Sequence, residues 1–461
     1  MRRPGTDTRF EFPAQTGPDG EECDAESQAA VLPPDCPRSG RIPLAGALRE
    51  RGAPTVRART CVTLNRMPER KEFQEIGHCG GQFIVEVRTE NGQRGVSFGV
   101  THSRPVPASL VAIYALPQGI PVGMILLAGI GQPFNPPPYP GCFHIFIASD
   151  SQGLFGHECP NCTGYWRSHA VPAVWEMTCP YCGLRGDAHR FLTTGQCRFV
   201  EALCALTRQA IECEKDGEFK IDMDDVADKV QQGAETPKFY YTEQSQQNDY
   251  TCVACGGRDD ILGTYGYCST CGTRNDLQRL TQTIERIQAQ TRDRIVAKEF
   301  LHPAVQDSVS AFDSMARQYA KQLATHVPIR PERRTALESA LFHSPKARAA
   351  ELKPWFGIDL FDGLDTDAQA FLNQMFLRRH IYEHNGGQVD QKYLDDSEDT
   401  SVKLGQAVRE SPDTIFRLTG LILKMARNLH DGFHELFPPV AKPIENHREH
   451  QARLEAYRKG R

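Results

Sequence analysis

The 461-residue sequence predicts a multidomain α+β protein with β structure in its N-terminal part and an all-α bundle in its C-terminal part. Three observations predict this organisation. Apolar and polar residues alternate in the first third of the chain, Cys-x-x-Cys pairs occupy the middle, and helical apolar spacing begins after Asn275. Hydrophobic residues make up 39% of the chain and charged residues 24%, which is typical of a soluble globular protein.

Changes in composition and periodicity predict where the segments begin and end. We expect a flexible leader at 1–40, a β-rich domain at 41–150, a first cysteine module at 151–190, a helical acidic linker at 191–237, a second cysteine module at 238–275, a helical bundle at 276–437 and a basic tail at 438–461. No apolar segment follows the first ten residues, and the longest apolar run, 122–130, is too short to span a bilayer. We therefore expect a cytoplasmic protein without a membrane partner.

The β-rich domain is predicted from the alternation of its apolar residues. Apolar residues alternate with polar ones over 83–87 and again over 96–100. Asn91-Gly92 lies between these stretches, and this dipeptide is typical of the two-residue turn of a β-hairpin. Three further apolar runs between 110 and 149 bring the expected number of strands to five or more.

The middle of the chain holds four Cys-x-x-Cys pairs arranged two by two. Sixteen residues separate the first two pairs and twelve separate the last two. Two residues between cysteines allow a tight turn to direct both sulfurs at one ion, and a second such turn completes a tetrahedral shell. The sequence therefore predicts two zinc ribbons with two structural Zn2+ ions. The predicted ligands are Cys159, Cys162, Cys179 and Cys182 for the first ion, and Cys252, Cys255, Cys268 and Cys271 for the second.

Local features around the cysteines support this interpretation. Gly183, Gly256 and Gly272 directly follow the second cysteine of a pair, where such turns need a positive φ. A thioredoxin-like redox pair is the alternative for a single Cys-x-x-Cys, and four paired motifs argue against it.

The remaining cysteines have plainer interpretations. His78-Cys79 and Cys142-x-His144 could combine into a metal site, although such residues are more often buried in strands. Cys197, Cys204 and Cys213 have the spacing of a buried helix face.

Helical apolar spacing predicts the C-terminal bundle. The expected helices are 276–301, 303–326, 331–342, 367–384 and 411–437. Pro303, Pro331 and Pro412 stand near helix starts, where proline is tolerated. Asp365 or Thr366 can cap the fourth helix, and Asn385-Gly386-Gly387 can end it with a left-handed residue.

Charge is distributed unevenly around a net value of −5. Residues 211–249 hold eleven acids against four Lys/Arg, a balance that repels phosphate. Residues 276–350 hold twelve Lys/Arg against eight acids, and 442–461 hold six against three. Any phosphate-binding surface is therefore expected in the C-terminal half, although ordinary solvated helix faces explain the same charges.

The segment RRHIYEHNGG, residues 378–387, gathers arginine and histidine at the end of the fourth helix. On an ideal helix Arg379 projects from the middle of an apolar stripe, so it differs from an ordinary solvated charge. The stripe consists of Phe371, Leu372, Met375, Phe376 and Tyr382. His380 and His384 lie one turn apart, and Arg379 and His384 are separated by roughly 140° of rotation. A working site would therefore need a second copy of the chain or a frayed helix end.

Three interpretations of this segment follow from general helix and metal-site chemistry. A metalloprotease helix needs His-Glu-x-x-His, whereas Glu383 directly precedes the second histidine here. A metal pair formed by His380 and His384 remains open. A solvated helix end with positive residues near its C-terminal dipole also remains open.

The segment Arg379-His-Ile-Tyr-Glu-His384 resembles the R-x4-6-H motif of HEPN domains, in which a polar residue, here His380, usually follows the arginine. The long flanking helices and the Asn-Gly-Gly break are similar to that family too, and the resemblance covers roughly 276–437. Arg378 also meets the spacing. Arg379 is preferred because of the residue that follows it.

The resemblance implies a metal-independent endoribonuclease, often a toxin or an effector of anti-phage defence. It implies a HEPN-like bundle that forms a homodimer with the site built across it, RNA as substrate, and an antitoxin or activating partner. Arg379 would bind the phosphate, His384 would act as acid and base, and His380 would orient its neighbours or contact substrate. The β-rich domain and ribbons would serve recognition or sensing.

The alternative function is a non-enzymatic regulator that binds nucleic acid or protein. In that case the zinc ribbons make the contacts and the helical bundle only dimerises. A serine or cysteine hydrolase ranks third, because no nucleophile elbow or Cys-His arrangement stands out.

Overall fold

The computed structural model describes residues 8–10, 75–77, 81–101, 110–126, 136–150, 152–169, 176–213, 215–230, 242–293, 297–397 and 399–459. These residues form a β-rich N-terminal part, two four-cysteine clusters and a mostly helical C-terminal part, which confirms the predicted fold class at this level. Most of the expected leader and the pair His78-Cys79 lie outside the described residues. Among the described helices, none combines the length and apolar character that a bilayer crossing requires.

The ten described strand pairs are all antiparallel, and five of them join consecutive strands. Their bounds are β1 Thr8–Phe10, β2 Glu75–Gly77, β3 Gln82–Glu90, β4 Gln93–Thr101, β5 Leu110–Ala115, β6 Pro121–Leu126, β7 Phe143–Ala148, β8 Phe155–Glu158, β9 Tyr165–Ser168, β10 Met177–Thr178, β11 Arg185–Gly186, β12 Gly217–Asp222, β13 Thr242–Gln244, β14 Asn248–Thr251 and β15 Arg258–Ile261.

Ten α-helices lie in the described residues, eight of them after residue 275. Their bounds are α1 Thr194–Glu212, α2 Met223–Val230, α3 Asp276–Arg292, α4 Ala297–His326, α5 Pro331–Glu338, α6 Pro345–Phe356, α7 Thr366–His384, α8 Gln391–Ser397, α9 Pro412–Leu436 and α10 Ala441–Lys459.

The predicted hairpin is present as β3 and β4. Asn91 and Gly92 both have positive φ values, 51° and 76°, which is the backbone that a tight hairpin turn requires. The strands belong to a sheet with the order β1-β4-β3-β12, and β5 is the centre of a second sheet, β6-β5-β7. Phe83 and Val85 are fully buried, because alternate residues of β3 face the core between the sheets and helix α1.

The described parts of the expected linker 191–237, residues 191–213 and 215–230, complete this N-terminal core. Helix α1 contributes Phe199 and Leu203 to the core, and β12 pairs antiparallel with β3. Cys204 is buried in the same core, whereas Cys197 and Cys213 are half-buried. Because β12 is distant in sequence from its partner strand, local composition did not reveal the pairing.

The two cysteine modules share one sheet. Strands β8 and β9 of the first module and β14 and β15 of the second form a sheet with the order β14-β15-β9-β8. At its centre the buried Arg167 guanidinium forms ion pairs with Asp150 and Asp260, whose side chains are also buried. Charges taken out of water are tolerated only when they are paired and hydrogen-bonded, so this triad fixes the register of the sheet.

The helical core differs from the sequence prediction in the bounds of α3, α4 and α5 and in the presence of α6 and α8. Helix α3 ends at Arg292, and α4 already begins at Ala297, so Pro303 lies inside α4 and not at its start. Proline removes one backbone hydrogen bond there, and the packing of α4 against α3, α7 and α9 outweighs that loss. Helix α6 was not predicted, because it carries little one-sided apolar pattern.

The expected basic tail forms helix α10. The backbone N–H of Val440 donates to the carbonyl of Cys271 at 2.8 Å, and Ile444 joins the apolar cluster around the cysteines. A helix that is polar on almost every side has no amphipathic spacing from which the sequence could predict it. The contacts of Val440 and Ile444 attach the start of α10 to the second cysteine module.

A buried ion pair connects the second cysteine module to the bundle. Arg274 donates from Nε and Nη2 to the carboxylate of Asp276 at 2.8 and 3.0 Å. The guanidinium carbon of Arg274 lies 4.7 Å from the ring centre of Tyr267 and 5.6 Å from that of Tyr319. Its backbone N–H donates to Nε2 of His434 at 3.2 Å. The module and helices α3, α4 and α9 therefore meet around one buried cation.

We expect the Asp276→Ala variant to lose about 3–5 kcal/mol of unfolding free energy, because it leaves the buried Arg274 charge uncompensated. Urea unfolding followed by far-UV circular dichroism measures this loss. The matched control is Glu449→Ala, which removes the partner of an exposed Arg453 on α10 and should cost less than about 0.5 kcal/mol. Equal losses in the two variants would show that the buried pair does not hold the module to the bundle.

Candidate functional site

Each set of four cysteines converges on one point. In both groups the sulfur atoms all lie within 4.8 Å of one another. Sulfur pairs are separated by 3.6 and 3.7 Å in the first group and by 3.9 and 3.5 Å in the second. Four sulfurs at about 2.3 Å from a tetrahedral zinc ion lie about 3.8 Å apart, whereas a disulfide requires about 2.05 Å. Both groups could hold a metal ion, and the four-thiolate donor set is consistent with structural zinc.

The turns around the cysteines have the backbone that the sequence predicts. Gly183, Gly256 and Gly272 have φ values of 70°, 72° and 75°, and the N–H of each donates to the carbonyl of the first cysteine of its pair. The remaining turn, which follows Cys162, has Thr163 at this position with a φ of 55°. A non-glycine residue rarely adopts this conformation, so the ligand geometry here overrides a local preference.

Backbone amides also point at the sulfurs. The N–H of Asn161 lies 3.4 Å from Cys159 Sγ, and the N–H of Gly257 lies 3.4 Å from Cys255 Sγ. Donors in these positions stabilise the thiolate form, which is the form that binds a metal. Four protein ligands leave no coordination position for a substrate, so neither cluster is a catalytic metal site.

The end of α7 has the predicted caps. The Asp365 side chain accepts from the N–H of Ala368 at 2.8 Å, which selects Asp365 over Thr366 as the N-cap. At the other end Gly386 and Gly387 have φ values of 59° and 83°, and the N–H of Gly387 donates to the carbonyl of Ile381 at 3.0 Å. The glycines supply the left-handed backbone, so the chain turns sharply away immediately after His384.

Arg378 and Arg379 are neighbours in sequence with different surroundings. Arg378 donates to Glu410 and Asp399, each at 3.1 Å, and to the hydroxyl of Tyr393 at 3.1 Å. The side chain of Glu410 is fully buried and also accepts from Tyr382. Arg378 therefore connects α7 to α8 and to the segment before α9. No local sequence pattern predicts this network, because its acids lie twenty or more residues away.

Arg379 forms a local ion pair. Its Nη1 lies 2.5 Å from the carboxylate of Glu383, one turn further along α7. The Arg379 side chain is 14% exposed, and its buried Nε atom has no hydrogen-bond partner within the described part of the chain. Glu383 is 40% exposed and is free to move away from the arginine. The buried Nε is out of reach of a ligand, so an incoming anion would take the place of Glu383 at the terminal nitrogens of Arg379.

The two histidines of the segment lie side by side at the surface. Both are exposed, and their ring centres are 4.6 Å apart. Partial desolvation at the helix end and the nearby His384 lower the pKa of His380. Arg379 and His380 line a pocket of about 150 Å³, whereas His384 does not line it. Within one chain, His380 lies next to both Arg379 and His384, whereas Arg379 and His384 lie on different faces of α7.

Other candidate residues belong to the core or stand alone. His144 of β7 packs its ring against Tyr114 at 4.9 Å, and Cys142 is buried beside this strand. Among the described residues, only the two four-cysteine groups place three or more potential metal ligands together. The pair His380 and His384 therefore has no third ligand in the part of the chain that the structure describes.

Comparisons of this chain with protein-family models, with curated proteins and with solved structures found no match. The geometry of the chain's own residues therefore carries the functional argument.

We expect the purified protein to contain two zinc ions per chain, one for each four-cysteine group, when measured by elemental analysis. Cys255→Ser should lower the zinc content to about one ion per chain. It should also destabilise the first ribbon, because β15 pairs with β9 across the shared sheet. Cys213→Ser, which lies outside both groups, should retain both ions. A wild-type content of one ion or none would contradict at least one site.

We expect Arg378→Met to lower the unfolding free energy by about 3–5 kcal/mol, because it leaves the carboxylates of Glu410 and Asp399 buried without their cation. Urea unfolding provides the measurement. Arg379→Met is the matched control and should cost less than about 1 kcal/mol, since Glu383 can return to solvent. A larger loss for Arg379 than for Arg378 would reverse the structural roles of the two arginines.

Proposed function

We propose that this protein is a metal-independent endoribonuclease of the HEPN type, with a site formed by Arg379, His380 and His384. The observation that carries the proposal is the pair of exposed, adjacent histidines beside an arginine that is paired with the exposed Glu383. Arg379 and His380 line a pocket near the glycine-terminated end of α7, and His384 is the last residue of that helix.

The three residue types match the chemistry of RNA cleavage. Attack of the 2′-hydroxyl on its own phosphate needs a base for the hydroxyl, an acid for the leaving 5′-oxygen and donors for the crowded phosphate. Two adjacent imidazoles hold one proton more easily than two, so one of them is available as a base while the other is an acid. The lowered pKa of His380 favours the neutral, proton-accepting form.

Arg379 suits the phosphate role. Its planar guanidinium can donate two hydrogen bonds to one phosphate, which a lysine ammonium cannot reproduce. Glu383 occupies one edge of the guanidinium, so a bound phosphate would compete with this carboxylate. Arg378 is unsuited to the role, because its three nitrogen atoms are already hydrogen-bonded.

A homodimer formed through the helical bundle would complete the site. Within one chain Arg379 lines the pocket and His384 does not. A twofold axis beside the end of α7 would place His384 of one copy against the pocket of the other. The zinc ribbons and the β-rich part would then recognise the RNA or sense the activating signal.

The proposed setting is the cytoplasm. There an uncontrolled ribonuclease would act as a toxin or as an anti-phage effector. Such an enzyme needs a partner that restrains or activates it, so an antitoxin or activating partner belongs to the proposal.

A non-enzymatic regulator is the second candidate. The shared ribbon sheet favours it, because two rigid modules joined by a buried Arg167 triad form a ready binding platform. The turn of the second ribbon also exposes Val253 at 69%, an apolar contact point at its tip. In this interpretation the ribbons bind nucleic acid or protein, and the bundle only dimerises.

We expect the full-length protein to cleave single-stranded RNA in the presence of EDTA and to spare DNA, which lacks the attacking 2′-hydroxyl. Products should carry 2′,3′-cyclic phosphate or 3′-phosphate ends. His384→Ala should lower the rate roughly 10²-fold or more, and Arg379→Ala about 10²- to 10³-fold. Arg379→Lys should recover little activity. Gel analysis of labelled RNA provides the measurement.

The matched control is His450→Ala, which removes an exposed histidine on α10 and should leave cleavage unchanged. Mixed dimers of Arg379→Ala and His384→Ala chains should recover about half of the wild-type activity if each site is composite, because one of the two sites then keeps both residues, whereas sites within single chains would stay inactive. Full activity in folded Arg379→Ala and His384→Ala variants would refute the nuclease and favour the regulator.

A further inference from the structure

The pocket beside the proposed site is built from three separate segments. Helix α7 contributes Phe376, Leu377 and Ile381 as an apolar floor next to Arg379 and His380. Helix α8 contributes Lys392 and Tyr393, and the segment between α5 and α6 contributes His343. A space of about 150 Å³ with an apolar floor and polar walls is suited to one flat, polar-edged group and not to an extended apolar ligand.

The charged groups of the wall are not equally available. Asp390 is engaged as the cap of α8, because its Oδ1 accepts from the N–H of Tyr393 at 2.7 Å and its Oδ2 from a side-chain amide at 2.5 Å. Asp396 is exposed and can turn towards solvent. Lys392 is exposed and forms no ion pair within the described part of the chain, and Arg379 is paired with Glu383, which is 40% exposed and can be displaced. The cations of the wall are therefore open to a ligand.

A basic segment leads to the pocket. Residues 330–353 contain six Lys/Arg and three acids, and His343 of the pocket lies in the middle of this stretch. Arg348 and Lys353 are neutralised by Glu351 and Asp359. The remaining four cations, Arg330, Arg333, Arg334 and Lys346, are all exposed. A negatively charged polymer can follow this surface towards His343.

We propose that this pocket is a subsite for one nucleotide of single-stranded RNA next to the cut phosphate, with the base on the apolar floor and a flanking phosphate at Lys392. The inference rests on the proposed function and deepens it by assigning the substrate's position. Base stacking on aromatic and apolar side chains tolerates any sequence, and cations beside it hold the backbone. A duplex keeps its bases stacked inside, so the floor selects unpaired RNA.

The test measures binding separately from cleavage. Full-length His384→Ala protein, which binds RNA without cutting it, is titrated with fluorescein-labelled single-stranded RNA of mixed sequence over a range of salt concentrations. The double variant His384→Ala/Lys392→Gln should bind RNA more weakly than His384→Ala. The slope of the logarithm of its association constant against the logarithm of salt concentration should be about 0.7 smaller in magnitude, because one phosphate contact is lost. Adding His343→Ala should also weaken binding, and the matching duplex should bind more weakly than the single strand.

The matched control is Lys229→Gln on α2, which removes an exposed lysine elsewhere and should leave affinity and slope unchanged. In the cleaving protein, Lys392→Gln should raise KM several-fold and leave kcat nearly unchanged, since the residue positions the substrate away from the cut bond. A slope and KM equal to those of Lys229→Gln would overturn the subsite even if the wild type cleaves RNA. A wild type that cleaves no RNA would instead overturn the proposed nuclease, whatever the binding slopes show.

Discussion

Two groups of four thiols, each converging on one point, constrain the middle of this molecule. The positive φ values after each Cys-x-x-Cys pair and the amides aimed at sulfur all follow from this constraint. The two modules then share a sheet through β9 and β15, so neither is independent of the other. The second module continues directly into α3, where Arg274 and Asp276 are buried among bundle residues. The β structure and the helices thus meet at the cysteine modules.

Arg378 and Arg379 are neighbours on α7, and their side chains have different surroundings. Arg378 is held by two carboxylates and a tyrosine, and it fixes α8 and the segment before α9 against α7. This arrangement positions Lys392 and Tyr393 at the pocket. Arg379, one residue later and 100° further around an ideal helix, lines the pocket and is paired with the exposed Glu383. Arg378 holds the helices around the pocket in place, and Arg379 can exchange its partner. A proposed substrate-binding site needs both properties.

The proposed chemistry and the metal clusters occupy different parts of the molecule. Closed four-thiolate shells offer stability and shape, and they leave no position for an activated water. The exposed histidines offer proton transfer without a metal. In the proposed function, the basic segment 330–353 and the pocket at Arg379 and His380 would bind RNA, and the histidines would cleave it. The shared ribbon sheet remains available for a partner or for further RNA contacts.

The sequence by itself determined the elements that obey a local rule. The Asn91-Gly92 hairpin, the convergence of each cysteine set, the Asp365 cap and the glycine end of α7 each depend on a few consecutive residues. Only the tertiary structure decided the joining of the ribbons, the place of β12 in the N-terminal sheet, the helical form of the basic tail and the difference between Arg378 and Arg379. Those features depend on partners far away in sequence, and local spacing and propensity carry no information about which distant strand or carboxylate will be adjacent.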